Sequence, residues 1–381
     1  MPVQVKAFSL FTLYQRAFGF AHVRHGLMPL LAFIALLFLP NLALASAVNQ
    51  PVSVFSTYPS ESLLQSCKLH AEPHRSVPEK NSRSHLCFED SISPESFITL
   101  LGNSGVFRQL FPYGEGSDYE LLIANVGTTP SEHKQHAKQF AEFTLQWRGI
   151  EIDSSSFDAS PDLSTKDGTQ LITMDNEAHV LVTRWLEYAE HSGLFTSQFL
   201  FAALEASNYD KGLMVPSAVG EFTKLDTQLF ADPFSGAITR YTHAAFEDAL
   251  VDVTVYPFLG QLTLAENELL PQQLESDLQK ATATADMQRL KLSQVSPASR
   301  YEVNSNLAGW RLGLSAASET SPTIYATTYV FKLQDKIVKI STTFPPEFSD
   351  NIVNQLIVAI KVPHESEMMK KVRSLLLEST H

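Results

Sequence analysis

Cysteine is nearly absent from this chain of 381 residues, which carries two, Cys67 and Cys87. So low a count excludes multi-cysteine zinc modules and disulfide-dense scaffolds. Catalytic and cofactor fingerprints are missing as well. There is no P-loop, no G-x-G-x-x-G and no G-x-S-x-G. Gly102-Asn103-Ser104-Gly105 lacks the spacing of a nucleophile elbow, and His364-Glu365 has no second histidine four residues on. No cofactor is expected. Positive charge is scarce: 28 Lys and Arg stand against 41 Asp and Glu, a formal net charge of -13. An acidic surface of this size repels phosphate backbones and excludes nucleic acid as a partner. Mean hydropathy is -0.04, which excludes a polytopic membrane protein. Hydrophobic residues make up 44% and charged residues 18%, so the chain has the means to bury a core.

One apolar run stands out. Residues 30–39 (LLAFIALLFL) follow Arg16, Arg24 and His25 and precede Pro40 and Asn41. Ala43-Leu44-Ala45 and Ala45-Ser46-Ala47 both satisfy a small-x-small cleavage rule, so residues 1–47 read as a secretory signal peptide. The run is shorter than the roughly 20 apolar residues that span a bilayer. The expected location is periplasmic or secreted. Membrane contact is expected only through an uncleaved signal segment or the C-terminal tail.

Export gives the two cysteines a role. In an oxidising compartment an isolated pair forms one disulfide, here Cys67–Cys87. A second reading uses the same stretch. Cys67, His70, His74, His85 and Cys87 form C-x2-H-x3-H-x10-H-x-C, and thiolate and imidazole are ligands that zinc or copper would take. That spacing matches no zinc module, and export favours the disulfide.

The chain divides by composition. Residues 48–87 read as an extended, disulfide-linked segment. A first α+β domain follows over 88–210. Ser93-Pro94-Glu95 opens a helix with a capping residue, a first-turn proline and an early acid. Phe97, Leu100 and Leu101 form its apolar stripe. Strands are expected at 117–126 and 141–153, and helices at 176–190 and 194–207. The Ser/Asp-rich stretch 154–169 reads as a solvated loop, since Asp158, Asp162 and Asp167 do not have EF-hand spacing. His133 and His136 lie in a polar connection and read as a solvated face. Trp147, Trp185 and Trp310 read as core residues.

The second α+β domain, 218–363, is clearer. Strands are expected at 221–230, 236–243 and 249–256, then a helix from Pro271 to about 290. A strand at 307–316 and a hairpin over 323–344 follow. The hairpin turn is Gln334-Asp335. Val338, Ile340, Thr342 and Phe344 share one face of its second arm, and Ile337 and Lys339 the other. Pro345-Pro346 stop the sheet, and a last helix spans 349–361. The tail, 364–381, reads as amphipathic through Met368, Val372 and Leu375 or Leu376. Antiparallel strands with helices between and after them make the second domain an antiparallel sheet packed with helices.

That order of elements, with VDVTVYP, then AGWRLGLSA, then YVFKLQDKIVKISTTFPPE and an amphipathic helix, resembles the PsbP-like fold, including the DcrB family of bacterial envelope proteins. The resemblance covers about 220–362, rests on element order and carries no diagnostic motif. No family is recognised in the first half. Members of this fold class act as accessory or binding proteins more often than as enzymes, so the resemblance implies an envelope protein that binds another protein or a small ligand. No functional residue transfers with it. Two other readings stand beside it: a metal-binding envelope protein using residues 67–87, and a hydrolase with a non-standard site.

Overall fold

The computed structural model describes residues 48–71, 87–128, 138–159, 174–260, 262–318 and 322–378. The expected signal peptide, the loop 160–169, His74, His85, His133 and His136 lie outside these residues. The described residues form two units that divide between Ala203 and Leu204.

The N-terminal unit contains β1 (Val52–Ser56), α1 (Glu61–His70), β2 (Cys87–Glu89), α2 (Pro94–Asn103), β3 (Leu110–Pro112), β4 (Tyr119–Thr128), β5 (Gln139–Trp147), β6 (Ile150–Asp158), α3 (Met174–Ser192) and α4 (Ser197–Ala203). Its six-stranded sheet has the order β3-β1-β4-β5-β6, and β2 pairs with the far end of β4. The segment 48–87, expected as extended, therefore supplies a strand and a helix. Val52 and Val54 are buried, which seats β1 in parallel pairing between β3 and β4. α2 starts as its sequence dictates: Ser93 Oγ accepts from the Ser96 N–H and Pro94 occupies the first turn.

The expected single strand over 141–153 is instead a hairpin, β5–β6. Its turn residues Arg148 and Gly149 take φ of 49° and 77°. Glycine adopts that region without strain. Arg148 is held there by its side chain, which donates to Asp118 Oδ1 at 2.8 Å and lies 4.4 Å from the Trp147 ring centroid. Part of the expected loop, 154–158, belongs to β6. The core is aromatic. Trp185 of α3 stacks on Phe143 (5.1 Å) and Phe107 (6.3 Å), while Phe97 meets Phe143 edge-on at 6.1 Å.

The C-terminal unit contains α5 (Tyr209–Gly212), β7 (Ala218–Val219), β8 (Phe222–Leu229), β9 (Ala237–His243), β10 (Leu250–Pro257), α6 (Glu266–Gln288), β11 (Lys291–Asn304), β12 (Leu307–Ala317), β13 (Ile324–Leu333), β14 (Lys336–Thr342), α7 (Pro346–Ala359) and α8 (Glu367–Glu378). The sheet is eight-stranded, in the order β11-β12-β13-β14-β10-β9-β8-β7. All its pairs are antiparallel. Two meanders, β7–β10 and β11–β14, are fused where β10 pairs with β14, so the β13–β14 hairpin sits in the interior of the sheet.

The two faces of the hairpin meet different helices. On one face Leu312, Leu314, Val330 and Ile337 pack with Leu269, Leu270 and Leu274 of α6. On the other, Thr342 Oγ1 bonds Ser349 Oγ of α7 at 2.7 Å, and Val353 and Leu356 are buried. The unit is an antiparallel sheet with helices against both faces, an α+β fold.

Three boundaries differ from expectation. α6 begins at Glu266, so Pro271 lies inside the helix rather than opening it. A proline in the second turn removes one backbone bond but does not stop the helix here. α7 begins at Pro346, its first-turn proline. β11 carries no expected strand signal: it is polar, largely exposed and contains Pro297. It lies at the sheet edge and is bulged between Gln294 and Ser296, Ser296 and Ser299, and Glu302 and Asn304, where proline and absent alternation are tolerated.

Candidate functional site

Cys67 and Cys87 are joined, with Cα atoms 6.2 Å apart. Local sequence places them. Ser60 caps α1 by accepting from the Leu63 N–H, which turns Leu63 and Cys67 inward against Ala124, Val126 and Phe140. Cys87 opens β2, whose first pair is Thr128 of β4. The bridge thus ties α1 to the strand edge it covers and closes the chain around residues 72–86. A disulfide sulfur is not a thiolate ligand, so a metal set from this segment requires the reduced pair. His70 is exposed; its Nδ1 lies 2.8 Å from Ser66 O and its ring is 5.4 Å from that of Phe140. Among the described residues no group of three or more His, Cys, Asp or Glu is placed to hold a metal ion.

The chemically dense region lies elsewhere, at the tip of the β13–β14 hairpin. Asp335 is 2% exposed and Lys336 is fully buried. Lys336 Nζ donates to both carboxylate oxygens of Asp335 at 2.6 Å. Burial pushes the Lys336 amine below its ordinary range, and the Asp335 carboxylate opposes that push. Arg373 of α8 reaches the same carboxylate at 3.7 Å and pairs with Glu365. Two acids and two bases therefore meet there, three of them buried and Glu365 at the rim. Beside them Lys332 Nζ donates to Leu262 O and Leu264 O, both at 2.8 Å, and lies 5.4 Å from the Phe258 ring centroid.

A second constellation fixes α7. Arg311 Nη1 donates to both oxygens of Asp350, at 3.0 and 2.9 Å. Tyr329 donates to Asp350 Oδ1 at 2.5 Å, and Tyr301 donates to Asn354 Oδ1 at 2.8 Å. Burial together with the Asp350 charge pushes the Tyr329 hydroxyl far above its usual range, while burial, aided by that charge, pushes Tyr301 up to about 12. Both phenols therefore keep their protons at neutral pH and serve as donors, not bases. Arg240 with Asp252 (2.7 Å) and Lys339 with Asp277 (3.1 Å) complete a set of paired charges around the sheet.

The hairpin's polar residues Tyr325, Tyr329, Lys332 and Lys336 carry no sequence signal for chemistry, and the structure makes Tyr329 and Lys336 anchors. Asp335, Asp350, Arg311, Glu365 and Arg373 are not legible as a group, because they come from separate elements. Of the other expected positions, Asp158 is bound by Arg184 (2.9 Å) and Lys138 (3.0 Å). Trp147 and Trp185 are buried, and Trp310 packs against the α6 cluster. No helix among the described residues is long and apolar enough to cross a membrane.

No protein-family model matches the chain, and no curated protein matches it. Among solved structures it is similar to the solution structure of cyanobacterial PsbP (CyanoP) from Synechocystis sp., at 9% identity and TM-score 0.29, over 40% of this chain and 92% of that one. It is also similar to a crystal structure from Bacteroides thetaiotaomicron, at 10% identity and TM-score 0.24, over 40% of this chain and 48% of that one, about half its length. A third is the apo immunity protein TplEi from Pseudomonas aeruginosa, at 10% identity and TM-score 0.21, over 64% and 74%. The α+β architecture rests on the strand pairing and helix packing described above.

Proposed function

We propose that this chain is an exported protein of the cell envelope, periplasmic or secreted, that acts by binding another envelope protein or a small ligand rather than by turnover. The observation that carries the reading is the Cys67–Cys87 bridge. It joins a buried helix position to a strand edge, a link that persists in oxidising compartments and is rare in reducing ones. The apolar run at 30–39 after Arg16 and Arg24 supports the same address. The ion pairs of the C-terminal unit support a scaffold role: Asp335, Asp350, Asp252 and Asp277 each lie against a cation.

In-cell cross-linking of the tagged full chain, followed by isolation from the envelope fraction, tests the binding role. A defined complex with one stoichiometric partner, or a small molecule retained through native purification, is the expected result. A monomer that captures neither and turns over a hydrolysable substrate contradicts it.

A further inference from the structure

The C-terminal helix α8 closes over the tip of the central hairpin, and one residue makes most of the specific attachment. Arg373 is buried, with its guanidinium 5.4 Å from the Phe258 ring centroid. Its Nη2 donates to Phe258 O at 2.7 Å and its Nε to Gly260 O at 3.3 Å. Nη1 pairs with Glu365, and Nη2 lies 3.7 Å from Asp335 Oδ2. Besides Arg373, Met368 and Met369 are the buried side chains among the described residues of the helix. The Lys370–Glu367 and Lys371–Glu205 pairs are exposed, and such pairs contribute little. In the last turn Leu375 is 64% exposed.

The electrostatics set this attachment apart from the rest of the sheet. Docking α8 brings Arg373 onto the buried Asp335–Lys336 pair, with the buried Tyr209 beside them and Glu365 half-buried at the rim. Each acid has a base, so the group is neutral. Three charges are nonetheless taken from water and a fourth partly so, and that desolvation offsets most of their mutual attraction. Packing of this kind is near balance. A segment near balance opens separately from the apolar core beneath it.

We propose that residues 364–378 form a reversible strap, latched by Arg373, whose opening admits solvent to the Asp335–Lys336 pair. The strap is a conformational device of the C-terminal unit. It controls access to the tip of the hairpin while the sheet and α7 stay folded.

Hydrogen exchange and lysine acylation of the full chain test it. In the native protein the amides of α8 exchange faster than those of α7, and acylation of Lys336 follows the exchange of α8. Arg373→Ala speeds exchange in α8 and in the turn at 334–335 by at least about tenfold and leaves α7 unchanged. Two results overturn the proposal: α8 exchanging only together with α7 and the sheet, or Arg373→Ala raising exchange equally throughout the unit.

Discussion

The two units hold themselves together by different chemistry. In the N-terminal unit Trp185, Phe143, Phe107, Phe97 and Phe195 interlock, and a disulfide fastens α1 to the sheet. In the C-terminal unit aliphatic residues fill the space between the sheet and α6, but charged groups pin the last two helices: Arg311 to Asp350 for α7, and Arg373 to Glu365 and Asp335 for α8. Apolar burial is non-directional and hardly feels salt. Buried ion pairs are directional, and removing one member leaves the other uncompensated. The contrast places stability in one unit and conditional attachment in the other.

Four substitutions break or sharpen this contrast, from the largest effect to the smallest. Trp185→Ala empties the centre of the aromatic stack and destabilises the N-terminal unit by about 3–5 kcal/mol. Local hydrogen exchange reads the loss, which is independent of ionic strength. Lys336→Met takes the nearest cation from the buried Asp335 carboxylate, leaving only Arg373 at 3.7 Å, and costs the C-terminal unit about 3 kcal/mol. Chemical denaturation of the variant against the native chain reads the loss.

The third effect depends on pH in the opposite unit. Glu177 of α3 is buried, and desolvation raises its carboxyl from 4.5 to about 7. A raised carboxyl pKa means that the folded state holds the proton more tightly than the unfolded chain. Its contribution to stability therefore falls as pH rises from about 4.5 to 7. Glu177→Gln removes that fall: the variant gains stability over the native chain at pH 8 and gains none at pH 4, as thermal unfolding at the two pH values shows. The smallest effect is at the hairpin turn. Gln334 holds φ at 57°, a left-handed conformation that glycine adopts without a Cβ penalty. Gln334→Gly changes stability by less than about 1 kcal/mol, because relief of strain is set against greater freedom of the unfolded chain. A loss of several kcal/mol would show that the Gln334 side chain is itself part of the latch.

The sequence announces what local patterns control. β-branched and aromatic residues place both arms of the central hairpin, and alternation assigns Ile337 and Val338 to opposite faces. Ser93-Pro94 marks the start of α2. What tertiary context decides is not announced. Arg148-Gly149 does not read as a turn, because the left-handed conformation of Arg148 is held by the distant Asp118. β11 lacks strand alternation because an edge strand need not bury a face. The charged group at the hairpin tip is the clearest case: Asp335 is far in sequence from Glu365 and Arg373, and all three look like ordinary solvated residues until α8 folds back over the tip. The disulfide was legible because a chain with two cysteines leaves one pairing.

The central claim, an exported chain cross-linked between Cys67 and Cys87, is tested most directly by intact-mass spectrometry. The protein is recovered from the cell envelope or medium, with and without reduction before thiol alkylation. The account predicts a chain lacking about the first 45–47 residues, unmodified by alkylation until reduced and then carrying two added groups. A full-length chain that takes up two alkyl groups without reduction contradicts it.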